Sequence, residues 1–174
     1  MLQKILVIIF IFCLALPVCA KKRQQEDIIT PMAQLEKREY QTRTFATTDK
    51  TMVMKAILNT LQDDGFIVYN ANPLLGFIYG SKDFDMSDSE VDISKEFGLS
   101  KSRLNLNGIK VATIDVSVNV TQYSDNMRVR VNFKRKLLNT YGNAQFIDDV
   151  SEEEFYTDFY KKVDQSLYLL KQKL

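Results

Sequence analysis

Few residues in this chain are equipped for chemistry. Its two cysteines, Cys13 and Cys19, both lie within the first twenty positions, and it has no histidine and no tryptophan. A serine or threonine nucleophile therefore has no imidazole base, and a metal beyond the first twenty residues has neither imidazole nor thiolate ligands. Three other groups stand out by type and spacing. Asp83, Asp85 and Asp88 open an acidic run that continues through Glu90, Asp92 and Glu96. Their spacing approaches a calcium loop, but there is no glycine at the sharp turn and Ser94 stands where a bidentate glutamate is needed, so the run reads as a solvated acidic loop and no metal is expected. Arg128, Arg130, Lys134 and Lys136 alternate along one stretch and place a basic row on one strand face. Such a row can contact phosphate-bearing material or a protein partner, and equally it is what a solvated strand face looks like when residues such as Asp115 neutralise part of it. Phe155, Tyr156, Phe159 and Tyr160 follow helical spacing, with the phenylalanines expected in the core and the tyrosines at its rim. No glycine-rich phosphate loop appears, no carboxylate pair is singled out, and no enzyme activity, cofactor or small-molecule substrate is expected.

The position of Cys19 gives it a different meaning. Lys4 precedes an unbroken apolar run from Ile5 to Leu16, followed by Pro17-Val18-Cys19-Ala20 and then Lys21-Lys22-Arg23. This is the order of a secretory signal, and the run is shorter than the roughly 20 residues of a membrane-spanning helix. Residues 1–20 therefore read as a signal peptide. Val18-Cys19-Ala20 suits cleavage after Ala20, and Leu16-Pro17-Val18-Cys19 suits lipidation at Cys19, which is the favoured route. The basic residues after the run also keep an uncleaved anchor open, since positive charge resists export.

The elements that must carry the basic row are legible from periodicity. Residues 21–39 are polar without sustained period and read as a flexible tether, followed by a single domain over 40–174. Tyr40 to Ala46 reads as a strand. Thr47, Thr48 and Asp49 offer caps for a helix with Val53, Ala56, Ile57 and Leu61 inward, ended by Gly65. Phe66 to Ala71 and Gly76 to Lys82 read as a hairpin around Asn72-Pro73, and 83–107 as a long loop. Ala112 to Val120 and Met127 to Phe133 alternate strictly, and a two-residue turn at Ser124-Asp125 sets Val118 opposite Val131 and Asp115 opposite Lys134. A further strand is expected near Ala144 to Ile147. A capping box at Ser151 and Glu154 opens a long final helix with Phe155, Phe159, Val163, Leu167 and Leu170 on one side. The fold class is α+β: an antiparallel sheet of four to six strands with two amphipathic helices on one face, leaving the other face to solvent or a partner. At 174 residues, 45% hydrophobic and net charge +1, composition points to one globular domain and to no particular partner.

Three stretches carry a family resemblance. Thr42 to Lys50 running into Val53 to Ile67, then Arg128 to Phe133, then Phe155 to Asp164, together resemble an uncharacterised family of bacterial envelope lipoproteins. The fold also looks like the helix-grip modules of outer-membrane assembly lipoproteins. The resemblance implies a periplasm-facing domain with Cys19 at the lipidated position, held at the outer membrane. The function expected is that of a non-enzymatic accessory or assembly component acting on another envelope protein. The alternative is a periplasmic binding module for an anionic lipid or cell-wall component through Arg128, Arg130 and Lys134, in a protein that is lipid-anchored or soluble. Nucleic acid is not expected as a partner.

Overall fold

Alternation and turn chemistry place the strands where the register is found. A computed structural model describes residues 31–86 and 108–172 of the chain. Its elements are α1 (Pro31–Tyr40), β1 (Thr42–Phe45), α2 (Lys50–Asp63), β2 (Ile67–Asn72), β3 (Phe77–Asp85), β4 (Ile109–Tyr123), β5 (Asn126–Asn139), β6 (Ala144–Asp149) and α3 (Glu153–Gln172). The strands form one six-stranded antiparallel sheet in the order β1-β5-β4-β3-β2, with β6 also on β5. β1 pairs with residues 127–130 of β5 and β6 with residues 134–138, so both share one side of that strand. The β4–β5 hairpin sets Val118 opposite Val131 and Asp115 opposite Lys134, as the alternation requires.

Strict alternation gives β4 and β5 one apolar face, and Val116, Val118, Val120, Val129, Val131 and Phe133 on it are buried. Both amphipathic helices cover this face. α2 is capped by Asp49, whose carboxylate accepts from the Met52 N–H at 2.8 Å. It ends with Gly65 at φ 83°, the Gly65 N–H bonded to Gln62 O and the Phe66 N–H to Leu61 O, the paired closure of a Schellman motif. α3 buries Tyr156, Phe159, Tyr160, Val163 and Leu167.

Five details differ from the sequence reading or were not reached by it. The tether expected over 21–39 enters a helix at Pro31. α1 has no apolar stripe of its own, and tertiary contacts hold it: Tyr40 lies 5.2 Å from the Tyr156 ring, and Lys37 pairs with Asp149 at 2.9 Å. β3 continues through Asp83 and Asp85, which pair with Thr113 and Val111, because alternating acids suit a strand with one solvated face. Asp83 there accepts from the Thr113 hydroxyl at 2.7 Å. α3 begins at Glu153, which puts Glu152 and not Ser151 at its N-cap position. The Glu152 carboxylate instead accepts from the Ser151 N–H at 3.0 Å and from Arg135 at 3.0 Å. Tyr156 and Tyr160 are core residues, since their hydroxyls find buried backbone partners. The fifth is Arg135, which continues the β5 alternation inward between Phe133 and Leu137 and is 1% exposed. Its guanidinium pairs with Asp148 and Glu152, each at 3.0 Å. Asp88, Glu90, Asp92 and Glu96 lie outside the described residues, as does Cys19.

Candidate functional site

The face of the sheet turned away from the helices carries the predicted basic row. Cross-strand register orders its residues into rungs: Phe77, Asn119, Arg130 and Thr42 form one; Tyr79, Ser117 and Asn132 the next; Ser81, Asp115, Lys134 and Asp149 a third. Side chains two residues apart on one strand share a face, so Arg128, Arg130, Lys134 and Lys136 do stand together on it.

Their chemistry divides them into two pairs. Lys136 is ion-paired with Asp115, and this hydrogen bond holds its ammonium above the usual lysine range against the opposing effect of burial. Lys134 lies 3.5 Å from Asp149, which Lys37 also contacts. Burial pushes the Asp149 carboxyl up, but the hydrogen bond from Lys37 and the charges of Lys37 and Lys134 outweigh it and hold the group below its ordinary value. Arg128 and Arg130, in contrast, make no ion pair among the described residues. The Arg128 guanidinium lies over the Tyr123 ring, 4.3 Å from its centroid. Arg130 has its Nε buried without a hydrogen-bond partner. Thr42, Thr44 and Asn119 surround the two arginines in register and add neutral polar side chains that bond an anion or a peptide equally well.

Along the same face toward the β2 edge, the character changes. Tyr69 and Tyr79 lie with ring centroids 6.0 Å apart, the Tyr69 hydroxyl sits 3.1 Å from the Ser81 hydroxyl, and Ile67 beside them is exposed. An apolar, aromatic patch therefore shares the sheet face with the arginine pair, with Ser117 and Asn119 of β4 between them. Sequence reasoning missed it because β2 breaks its alternation at a bulge between Val68 and Asn70.

A cleft opens on the helix side. It measures about 510 Å³ and has a floor of phenylalanines, including Phe66, Phe84, Phe133 and Phe159, and a charged rim where Lys162 meets Asp64 at 2.5 Å. No group of three or more acidic, histidine or cysteine side chains fit to hold a metal occurs among the described residues. None of the described helices is long and apolar enough to cross a membrane.

The fold and these surfaces define the chain as an α+β domain with one sheet face covered by α2 and α3 and the other covered by none of the described helices. No family model and no curated protein sequence matches it. Among solved structures it is similar to a TBP-like protein from Parabacteroides distasonis, 10% identical, covering 73% of this chain and 90% of that one, with a TM-score of 0.38. A likeness of that size carries no argument about what this chain does.

Proposed function

We propose that the chain is a non-enzymatic component of a bacterial cell envelope, lipid-anchored through Cys19 at the outer membrane and facing the periplasm, whose uncovered sheet face docks on another envelope protein. The observation that supports this is that Tyr69, Tyr79 and Ile67 share that face with Arg128 and Arg130, which make no ion pair among the described residues. Aromatic residues and arginine are the types that concentrate binding energy in protein interfaces. The export of the domain rests on the order of residues 1–23, and its lipidation on Cys19.

The test has two arms. Intact mass of the processed protein, with Cys19→Ala in parallel, should give a diacylglyceryl-modified Cys19 whose loss weakens membrane association; a soluble product beginning at Lys21 would replace the anchor with ordinary secretion. Site-specific photocrosslinking from Tyr79 and Asn119 in cells should capture one discrete envelope protein, while crosslinks from the exposed Lys161 on α3 should not. Equal, diffuse labelling from both faces would sink the docking surface.

That Arg128 and Arg130 pair with no carboxylate among the described residues favours a second reading, in which they bind an anionic lipid or wall polymer. Lys134 contributes less to it, since Asp149 already faces it. Arg128→Glu with Arg130→Glu should then abolish retention on anionic vesicles or isolated cell wall while leaving membrane localisation intact. Unchanged retention on both materials would remove this reading.

A further inference from the structure

At one end of the sheet, the turn 73–76 between β2 and β3 displays Leu74, 91% exposed, beside Leu75, 69% exposed. Two adjacent leucines on a protruding turn are a cost to a protein surrounded by water unless something covers them. The turn is also held rigidly. Pro73 has no N–H to satisfy. Leu74 O accepts from the Lys50 ammonium at 2.9 Å, and the Leu75 N–H donates to Asn72 Oδ1 at 3.0 Å. The Gly76 N–H donates to Asn72 O at 2.8 Å, and Gly76 O accepts from the Val120 N–H at 2.7 Å. Gly76 adopts φ 70°, and a Cβ there would stand 2.1 Å from Val120 O, so only glycine lets the turn lie this close against β4.

The same end carries the β4–β5 turn, with Tyr123 60% exposed under the Arg128 guanidinium. Lys50 and Arg128 thus flank the leucines, with a tyrosine between polar and apolar ground. Asp49 and Asp125 belong to this end as well, and Asp49 is engaged as the α2 cap. With the charges so balanced, attraction to an anionic surface does not dominate; the leucines do. We propose that this end is a lipid-contacting tip: Leu74 and Leu75 enter the acyl region of a bilayer while Tyr123, Arg128 and Lys50 lie at headgroup depth. Within this convex leucine pair, Leu74 O and the Leu75 N–H are already bonded inside the protein, which lowers the cost of bringing the turn to the hydrocarbon boundary, where unsatisfied N–H and C=O groups are costly.

This inference rests on the envelope reading above. Eleven residues separate Cys19 from Pro31, on the order of 40 Å of fully extended chain, so a lipid on Cys19 keeps the domain within that reach of a bilayer.

The chain has no tryptophan, so single reporters are unambiguous. Leu74→Trp, and as a control Tyr141→Trp at the opposite end of the sheet, are introduced into the full chain with Cys19 and with Cys19→Ala. Each is floated with vesicles of phosphatidylethanolamine and phosphatidylglycerol containing brominated acyl chains. The tip reporter should shift to the blue and be quenched, at low and high salt alike, and the control should not. Leu74→Ser with Leu75→Ser should weaken vesicle binding of the Cys19→Ala form by on the order of tenfold or more. Flotation with an unquenched tip reporter, or quenching of both reporters equally, overturns the proposal, as does a chain that floats in neither form. A full chain whose intact mass shows no lipid, while the Cys19→Ala form still floats with a quenched tip, would instead refute lipidation and leave the tip in place.

Discussion

The hydroxyl of Tyr160 on α3 donates to the main-chain carbonyl of Gln41 at 2.7 Å, across 119 positions of sequence. That carbonyl also accepts the Val131 N–H of β5 at 2.9 Å, and Val129 O lies 3.2 Å from the same hydroxyl. One buried oxygen thus ties the α1–β1 junction to the central sheet and to the last helix. Tyr160→Phe keeps the ring packing and leaves Gln41 O with one donor, so it should cost about 1–2 kcal/mol, read as a lower urea midpoint with an unchanged m-value.

Alkaline pH should act through the same residues. Burial pushes the Tyr160 hydroxyl well above its usual value of 10.0 and raises that of Tyr156, with Arg43 and a backbone hydrogen bond partly opposing it at Tyr160 and hydrogen bonds at Tyr156. The folded state then holds its phenolic protons after the unfolded chain has released them. Stability from this source is complete below about pH 10 and is lost as pH rises toward the folded values. Urea midpoints followed from pH 8 to 12 should fall above pH 10, and Tyr156→Phe with Tyr160→Phe should flatten that fall.

Arg135 faces Asp148 and Glu152 from a buried position, so the two ways of removing it should differ. Arg135→Ala leaves a void and two carboxylates without their cation, and should cost about 3–5 kcal/mol. Arg135→Met fills the void and should lie within about 1–2 kcal/mol of the parent. Equal losses in thermal unfolding would show that the charge and not the volume is decisive.

Gly76→Ala should destabilise the domain by at least about 2 kcal/mol, because it forces a left-handed backbone on alanine and sets its Cβ against Val120 O. The effect should appear in the melting temperature.

Period and turn chemistry made the β4–β5 register and the stripe of α2 readable, since each depends on neighbours within a few residues. The outward basic row was legible for the same reason. What remained hidden depends on partners far along the chain. Pro31–Tyr40 has no stripe, and its helix is fixed by Tyr156 and Asp149. Tyr156 and Tyr160 look like rim residues until Val150 and Gln41 supply their acceptors. Nothing local distinguishes Arg128 and Arg130 from Lys134 and Lys136; the difference lies in whether a carboxylate stands across the ladder. The exposure of Leu74 and Leu75 was equally unreadable, because a short apolar pair beside proline fits a buried turn as well as a bare one.

The position of β5 between three partners sets an order of events for a chain made from its amino end. β1 is synthesised early, yet its only ladder among the described residues is with residues 127–130, and the Gln41 carbonyl waits for Val131 and Tyr160. The β4–β5 hairpin forms from neighbouring residues, whereas β1 must close a loop of more than eighty, a slower and costlier step. The first strand and the helix before it therefore stay unpaired until the last third of the chain has emerged. During that interval the backbone edge of β1 that β5 will cover is open to whatever surrounds the emerging chain.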